Sequence, residues 1–373
     1  MGELANSHMV VFLMSGVSLE VCDGIGTLER EAALYLAVRP HVGRLTFVTY
    51  GGPEDLELAR RLPGISVECN RWRLPSRLYV RTVTDLLSRR LDGHTIIKAE
   101  QMIGAELALR VAARCGAKFV ARCGYLPSSN AERIFGPQSS EARAAQHRER
   151  LVLPVADRVV VTTETIKQEV IRRYGVPAER IRIIPNYVQT DLFRPRPDVE
   201  RVRGRICFVG RLDKEKNLGA LLEAANGLEV ELVLVGSGPL MPHLKEAVRQ
   251  NGLRANFLGN VPNHELPEIF NSSQVFVLPS FIEGHPKSLI EAMSCGLAVL
   301  GTNVPGIRDV LMHRRTGYLC GTEPGAIRAA LLELLRDEEL RNQLGKSARE
   351  YVLQHYTLDS VVERELALLR ELV

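Results

Sequence analysis

The stretch VFVLPSFIEGHPKSLIEAMSCGLAVLGT, residues 275–302, places a turn and a short helical segment between two apolar runs. Short apolar runs that alternate with helical segments are the signature of parallel α/β units. We expect Pro286 to open the helix, because proline has no N–H to lose and its φ is already helical. The stretch therefore predicts a strand, a loop, a helix and a second strand of one parallel sheet.

The same alternation continues along the whole chain of 373 residues. It predicts two doubly wound α/β domains, with a Pro- and Arg-rich linker at residues 192–204. We expect an N-terminal domain over 1–195, a C-terminal domain over 196–356, and a last helix, within 357–373, that packs back on the N-terminal domain. The predicted strands are 10–14, 45–49, 65–69, 95–98, 119–122, 158–161 and 181–184 in the first domain, and 206–210, 230–236, 255–259, 275–280, 297–302 and 316–320 in the second.

The remaining general features indicate a cytoplasmic protein. Residues 1–8 fit no element and are interpreted as an N-terminal addition outside the fold. The start lacks the basic region and cleavage site of a signal peptide, and no apolar run approaches the roughly 20 residues of a membrane helix. Seven scattered cysteines without a Cys-x-x-Cys spacing argue against a disulfide framework and a zinc site.

Positive charge is concentrated in the first domain. The formal net charge is +4, and residues 71–90 hold six arginines against one acid, Asp85. A solvated helix face explains this run, and weak contact with the anionic inner face of a membrane is the alternative. We expect no nucleic-acid partner, because the arginines do not interleave with aromatic residues.

Glu283 and Glu291 stand on either side of the predicted helix start. First-turn amides have no partner within a helix, and with the helix dipole they form an anion site whose usual occupant is a phosphate. The amides of Lys287, Ser288 and Leu289 are predicted to form this site. The two carboxylates are placed to accept hydrogen bonds from hydroxyl groups on either side of the phosphate. A sugar nucleotide has that arrangement, and a plain capped helix with a solvated Glu291 is the alternative.

A second polar loop follows the first strand of the second domain, in VGRLDKEKNL, residues 209–218. The strand ends at Gly210, and Arg211 and Lys216 follow before the next helix. Two cations there could neutralise a diphosphate, the guanidinium as a fork and the ammonium as a point charge. A pair of surface cations beside a helix start is the alternative. No Asp-x-Asp occurs in the chain, so the short carboxylate pair for a divalent ion is missing and neither metal nor cofactor is expected.

Glycines and histidines indicate a ligand site less strongly than the carboxylates and cations do. Gly24 and Gly26 lie between the first strand and its helix, where small residues let the backbone approach a ligand, and a plain turn is the alternative. His285 lies close to where a donor sugar would bind. A nucleotide base is expected at the backbone of Val261. No Ser-His-Asp or Cys-His arrangement supports a hydrolase.

These motifs resemble those of the retaining glycosyltransferases of family 4, whose GT-B fold consists of two Rossmann-like doubly wound domains facing a central cleft. The resemblance is strongest over 206–320, where CFVGRLDKEKNL, LVLVGSGP, FLGNVPNHEL, the run at 275–311 and GYLC occur in the family's order. It implies transfer of a sugar from a nucleoside-diphosphate sugar to an acceptor hydroxyl, with retained anomeric configuration and without a metal ion.

The resemblance assigns roles by position. Glu283 matches the motif glutamate that contacts the donor sugar, and Glu291 matches the one that holds the ribose. Arg211 and Lys216 match the pair that binds the diphosphate and steadies its charge as the bond breaks. Arg211, Lys216 and Glu283 are thus the predicted catalytic residues. The other predicted donor-binding residues are Gly24, Gly26, Gly210, Val261, His285, Lys287, Ser288 and Leu289.

Two positions depart from the family. The sequence EGHP at 283–286 replaces the common EGFG, which removes one backbone donor at Pro286 and adds an imidazole. Cys123 and Gly124 stand where many members have a histidine near the reacting sugar, so that histidine cannot be assigned.

The predicted function is glycosyl transfer to a sugar, a glycolipid or a small molecule. One alternative is a non-catalytic protein that binds nucleotide sugars. Another is a nucleotide-sugar epimerase of the same fold, although epimerases lack a run like EGHPKSLIE.

Overall fold

The computed structural model describes residues 3–373, which divide into two compact units. Unit 1 contains the residues up to Pro185 together with Val361–Val373, and unit 2 is Asn186–Ser360. The boundary thus precedes the segment predicted as a linker. The side chain of Asn271 holds that segment on unit 2, accepting from the amide of Arg196 at 2.8 Å and donating to the carbonyl of Arg194 at 3.0 Å.

Unit 1 is built around seven parallel strands, and the residues of the five inner strands are almost continuously buried, because helices cover both faces of the sheet. The strands are β1 His8–Phe12, β2 Arg44–Val48, β3 Ile65–Glu68, β4 Thr95–Ala99, β5 Lys118–Cys123, β6 Arg158–Val161 and β7 Ile181–Ile183. Their order in the sheet is β3-β2-β1-β4-β5-β6-β7. The helices are α1 Leu19–Gly24, α2 Leu28–Val38, α3 Glu54–Leu58, α4 Ser76–Arg90, α5 Ala105–Cys115, α6 Pro127–Phe135, α7 Ser140–Val152 and α8 Glu164–Tyr174.

The N-terminal residues correct one prediction. Strand β1 begins at His8, and the preceding turn packs on the chain before β2. Leu4 is buried, and its carbonyl accepts from the hydroxyl of Ser7 at 2.8 Å and from the amide of Gly43 at 3.2 Å. A Cβ at Gly43 would lie 2.5 Å from the carbonyl oxygen of Ala5. The interpretation of residues 1–8 as an addition outside the fold is therefore wrong for residues 4–8, and residues 1–2 lie outside the described part of the chain.

Unit 2 contains a six-stranded parallel sheet with one large hydrophobic core. The strands are β8 Arg205–Val209, β9 Glu231–Val235, β10 Arg254–Gly259, β11 Val275–Leu278, β12 Ala298–Thr302 and β13 Tyr318–Cys320, in the order β10-β9-β8-β11-β12-β13. The helices are α9 Leu218–Ala225, α10 Met241–Gln250, α11 Leu266–Ser272, α12 Lys287–Ser294, α13 Pro324–Arg336 and α14 Glu338–His355. Since all strands are parallel, the loops after β8, β10, β11 and β12 emerge at one edge of the sheet.

The last helix, α15, spans Leu358–Arg370, and from Val361 onward it belongs to unit 1. Its fully buried Glu365 accepts a hydrogen bond of 2.6 Å from Nζ of Lys98, which is 1% exposed on β4. The same ammonium lies 5.3 Å from the ring centre of Tyr35. A buried ion pair has a high desolvation cost, and loss of one partner leaves the other charge uncompensated. The pair therefore ties α15 to the sheet of unit 1. Within residues 3–373, no helix is both long and apolar enough to cross a membrane.

Candidate functional site

The loop after β8 is held against the loop after β9 by close backbone contact. The amide of Gly210 donates to the carbonyl of Val235 at 3.0 Å, and Gly236 has a φ of +120°. A Cβ at Gly236 would lie 2.0 Å from the carbonyl oxygen of Gly210, so only glycine fits there. The backbone of Gly210 is therefore held against the loop after β9. This contact sets the position of the polar residues that follow Gly210.

Arg211 is paired with acidic neighbours in its own loop. Its side chain is 73% exposed, with a guanidinium nitrogen 2.9 Å from Asp213 and 3.6 Å from Glu215. Burial raises the pKa of Glu215, and the adjacent Asp213 carboxylate raises it further. The guanidinium therefore already balances local negative charge, and its exposure leaves it room to turn toward an anion.

Lys216 and Glu283 form the centre of the site. Nζ of Lys216 lies 2.5 Å from Oε1 of Glu283, and the hydroxyl of Ser280 donates to the same oxygen at 2.7 Å. The side chains of the pair are 14% and 10% exposed. The structure thus brings together two of the three predicted catalytic residues, which are separated by 67 positions. Ser280 was not predicted, although it ends the apolar run that precedes the glutamate.

Asn217 connects the loop after β8 to the end of β11. It has a φ of +51°, a conformation in which asparagine is among the commoner non-glycine residues. Its Nδ2 donates to the carbonyls of Pro279 at 3.1 Å and Thr322 at 2.9 Å. Because Asn217 directly follows Lys216, these bonds hold the backbone at Lys216 next to the end of β11.

A glycine in the loop after β12 packs on the backbone of Glu283. Gly306 has a φ of +82°, and a Cβ there would lie 2.2 Å from the carbonyl oxygen of Glu283. The amide of Glu283 donates to the carbonyl of Pro305 at 3.3 Å. The PG dipeptide at 305–306 is a turn signal in the sequence, but its contact with the site could not be predicted from it.

We expect Gly306→Ala to lower both stability and donor turnover. The new methyl group meets backbone, and the left-handed φ disfavours alanine, so the free energy of unfolding should fall by more than about 1 kcal/mol. The matched control is Gly219→Ala in α9, where no atom lies within 4 Å of the new Cβ and a small gain is expected. Thermal unfolding of both variants checks this, and equal melting temperatures for Gly306→Ala and the unmodified protein would contradict it.

Helix α12 begins one residue later than predicted. Pro286 is its N-cap, with a ψ of 116°, and the first helical residue is Lys287. The amide of Ile290 makes the first bond of the helix, to the carbonyl of Pro286 at 3.4 Å. The amides of residues 287–289 therefore lie in the first turn of the helix, and their predicted contact with a phosphate stays a prediction. Leu289 is fully buried, so only its backbone can reach a ligand, whereas Lys287 and Ser288 are half-buried.

Glu291 lies inside unit 2 and not on a solvated helix face. It is 2% exposed, and its Oε1 accepts a hydrogen bond of 3.1 Å from Nδ2 of Asn263. Asn263 is also buried and follows β10 in the 3-10 helix Asn263–Glu265. The structure therefore excludes the alternative of an ordinary surface glutamate. It adds Asn263, which the sequence analysis did not assign although the residue lies in the FLGNVPNHEL run.

His285 packs on the aromatic residue that directly follows α14. The imidazole is 5% exposed and meets the ring of Tyr356 edge to face, with ring centres 4.8 Å apart. Its carbonyl accepts from Nδ2 of Asn186 at 2.6 Å. These contacts fix the turn before α12. The predicted contact of His285 with a donor sugar stays a prediction.

Val261 is half-buried and packs on the core of unit 2. The neighbouring Asn260 accepts from the hydroxyl of Ser237 at 3.0 Å, which joins the loops after β10 and β9. The expected backbone contact of Val261 with a nucleotide base stays a prediction.

Gly24 and Gly26 do not lie in the loop that directly follows β1. The additional helix α1, capped by the hydroxyl of Ser18, separates them from the strand. Gly24 ends this helix and is exposed, and Gly26 has a φ of +74° in the turn before α2. The loop after β1 instead contains Gly16, with a φ of +82°, which the sequence analysis did not single out. The donor-binding role of Gly24 and Gly26 stays a prediction.

Cys123 cannot replace the family's histidine as a reactive group. It ends β5, its thiol donates to the carbonyl of Tyr125 at 3.0 Å, and burial raises its pKa well above the ordinary value. A buried thiol with a raised pKa is a poor nucleophile and a poor base. The following Gly124 accepts from the hydroxyl of Thr162 at 2.9 Å.

Two family models match the chain, one after the other. The model described as "Glycosyltransferase Family 4" matches residues 23–192, and the model described as "Glycosyl transferases group 1" matches residues 193–351. The chain belongs to glycosyltransferase family 4. The predicted resemblance is therefore confirmed over both halves of the sequence.

This family 4 member is similar to enzymes with several different names. An alpha-maltose-1-phosphate synthase of Mycolicibacterium smegmatis is 28% identical, over 60% of this chain and 65% of that protein. A D-inositol 3-phosphate glycosyltransferase of Paenarthrobacter aurescens is 29% identical, over 56% of each. A sulfoquinovosyl transferase of Arabidopsis thaliana is 30% identical, over 54% of this chain and 42% of that protein. The chain thus spans less than two thirds of the length of these relatives.

Solved structures confirm the fold class. Sucrose-phosphate synthase from Thermosynechococcus elongatus matches with a TM-score of 0.83 at 19% identity, covering 98% of this chain and 99% of that one. Anabaena HepE, in complex with UDP-glucose, matches with a TM-score of 0.79 at 16% identity, covering 97% and 99%. At these identities the likeness shows the fold alone, which is GT-B with two Rossmann-like domains.

Proposed function

We propose that this family 4 member transfers a glycosyl group from a nucleoside-diphosphate sugar to an acceptor hydroxyl, with retained anomeric configuration and without a metal ion. The observation that carries the proposal is the Lys216–Glu283 pair. The two residues lie in the loops that follow β8 and β11, and α12 begins four residues after Glu283. An ammonium and a helix start suit a diphosphate, and a carboxylate beside them suits the hydroxyl groups of a sugar.

The cations are proposed to act mainly on the leaving group. Negative charge grows on the diphosphate as its bond to the sugar breaks, and Lys216 is already fixed in place by Glu283 and by the neighbouring Asn217. A preorganised cation stabilises that charge without having to reorient during the reaction. Arg211, whose side chain is exposed and paired with Asp213, would turn toward the diphosphate once it binds.

Retention is proposed to occur without a protein nucleophile. Oε1 of Glu283 already accepts from both Lys216 and Ser280, which lowers its reactivity toward an anomeric carbon. The thiol of Cys123 is buried and has a raised pKa. Attack by the acceptor on the face that the diphosphate leaves, with a phosphate oxygen taking the proton, needs neither group.

A divalent ion is not required in this proposal because cations and helix amides offset the diphosphate charge. Within residues 3–373, no three His, Cys, Asp or Glu side chains are grouped as a metal site would need. We propose a sugar, a glycolipid or a small molecule as the acceptor. We also propose a cytoplasmic location, since all seven cysteines, which lie in the described part of the chain, are free thiols.

The buried Glu291 is proposed to bind the ribose hydroxyls of the donor. We expect Glu291→Gln to raise the donor KM about ten- to a hundredfold, because a hydrogen bond to a charged group contributes about 1.5–3 kcal/mol. Glutamine keeps the size of the side chain and an acceptor for Asn263. The matched control, Glu223→Gln on the exposed face of α9, should leave KM unchanged. An unchanged KM in Glu291→Gln would contradict the assignment.

A thermal-shift screen tests the proposed function directly. UDP-, GDP-, ADP- and dTDP-sugars are added in the presence of EDTA, and the melting temperature is recorded. A donor at 100 times its Kd adds about 2.7 kcal/mol of stability, so at least one of them should give a clear shift. Absence of a shift with every nucleotide sugar would contradict the proposal. A shift without any consumption of the donor would favour the non-catalytic alternative.

A further inference from the structure

The only tryptophan of the chain, Trp72, lies in a hydrogen-bonded turn of unit 1. The turn follows β3 and is closed by the side chain of Asn70, whose Nδ2 donates to the carbonyl of Leu74 at 2.7 Å and whose Oδ1 accepts from the amide of Leu74 at 2.9 Å. Arg73, at the tip, adopts a left-handed φ of +50°. Trp72 is nevertheless 52% exposed. An ordered turn thus holds a large apolar side chain in solvent, where burial would ordinarily be favoured.

Helix α4 begins just after this turn and presents arginines on its outer face. Tyr79, Val83, Thr84 and Leu87 form the buried face of the helix. Arg77, Arg81 and Arg89 are exposed and follow one another at multiples of four positions, so they lie along one ridge. Among residues 3–373, no carboxylate pairs with these three arginines. The one acid on the ridge, Asp85, is neutralised by Arg114 at 2.6 Å.

Exposed apolar side chains lie near the arginines. Leu78, on the same side of α4, is 48% exposed. The Trp72 turn is joined to α3 by the ion pair of Arg73 with Glu54, and α3 is joined to α1 by the bond from the amide of Glu20 to Asp55. Helix α3 exposes Leu56, and α1 and the residue after it expose Val21 and Ile25.

We propose that Trp72, Leu78, Arg77, Arg81 and Arg89 form a docking face for an anionic lipid bilayer. Unpaired arginines are attracted to anionic headgroups, and tryptophan prefers the boundary between headgroups and acyl chains. A second copy of this chain would present the same positive charge and repel it. A nucleic acid would satisfy the arginines but not the leucine beside them. The bilayer is the one partner that suits both components of the face.

Tryptophan fluorescence tests this directly, because excitation at the red edge, where tyrosine does not absorb, gives emission from Trp72 alone. The full chain is mixed with vesicles of phosphatidylcholine containing roughly one third phosphatidylglycerol, without any donor, and binding is followed by sedimentation and by emission. We expect a blue shift and quenching by lipids brominated on the acyl chains. Vesicles of phosphatidylcholine alone should give neither, and added salt should weaken binding.

Arginine variants separate this face from general positive charge. At about one kcal/mol for each arginine, the triple variant Arg77→Ala, Arg81→Ala and Arg89→Ala should lose roughly a hundredfold in partitioning. The control removes three exposed arginines of α6 and α7 in the same unit, Arg133→Ala, Arg143→Ala and Arg150→Ala, and should keep most of the binding.

Three outcomes would overturn the proposal. The first is no blue shift with anionic vesicles, and the second is equal loss of binding in the two triple variants. The third is a blue shift that appears without lipid, either on raising the protein concentration together with a doubled mass or on adding an oligonucleotide. None of these measurements uses a nucleotide sugar, so the docking face and the proposed function succeed or fail separately.

Discussion

Lys216→Ala is expected to lower kcat/KM for donor consumption by roughly a hundred- to a thousandfold. The lysine ammonium is held 2.5 Å from Glu283 and is proposed to stabilise the charge that develops on the leaving diphosphate. Loss of one preorganised group of this kind costs about 3–4 kcal/mol of transition-state stabilisation. Steady-state release of the nucleoside diphosphate, with acceptor or by donor hydrolysis, measures the effect.

The structure supplies a matched control in the same short helix. Lys214 lies two positions earlier, is exposed, and pairs with no carboxylate within residues 3–373. Lys214→Ala should keep kcat/KM within about twofold. The melting temperature of Lys216→Ala is expected to fall, because the side chains of the pair are 14% and 10% exposed and Glu283 loses its charged partner. The kcat/KM values are therefore compared at a temperature at which both variants are folded. Equal activity of the two variants would contradict the role of Lys216.

Lys98→Met is expected to lower the free energy of unfolding by about 3–5 kcal/mol. The substitution leaves Glu365 of α15 fully buried without its partner at 2.6 Å. Glu365→Gln should cost less, because the ammonium of Lys98 retains Glu100 at 3.8 Å. Denaturant unfolding of the purified variants measures both values.

The double variant Lys98→Met with Glu365→Leu should recover most of the loss, because neither buried charge then remains. A half-exposed pair of unit 1 serves as the control. Lys118 lies 3.4 Å from Asp157, and Lys118→Met should cost less than about 1 kcal/mol. A loss in Lys98→Met no larger than that in Lys118→Met would show that the buried pair does not hold α15.

The fold could be predicted in detail because parallel strands covered on both faces are short apolar runs. The strand predicted at 158–161 coincides with β6, and most other strands agree within one or two residues at each end. The errors occur in segments whose sequence lacks a helix or strand pattern but whose residues still pack on the rest of the unit. Residues 4–8 look irregular but pack on Gly43, and the segment 192–204 looks like a linker but is bound by Asn271.

The site could be predicted only as separate pieces. Spacing identified Glu283 and Glu291 and the helix start between them, since these features are local. The bond from Lys216 to Glu283, the bond from Asn263 to Glu291 and the contact of His285 with Tyr356 join distant segments. No local pattern encodes such pairs, because the topology of the sheet decides which loops become neighbours.

The anomeric configuration of the sugar, followed by NMR during turnover in EDTA, tests the central claim most directly. The thermal-shift screen selects the donor, and the first sugar product is observed before mutarotation, whether it is released to water or transferred to an acceptor. In the proposed account, Lys216, Arg211 and the α12 amides stabilise the leaving diphosphate without a metal, and the anomeric configuration is retained. We therefore expect a product with the anomeric configuration of the donor. A product of inverted configuration, or turnover that EDTA abolishes, would contradict the account.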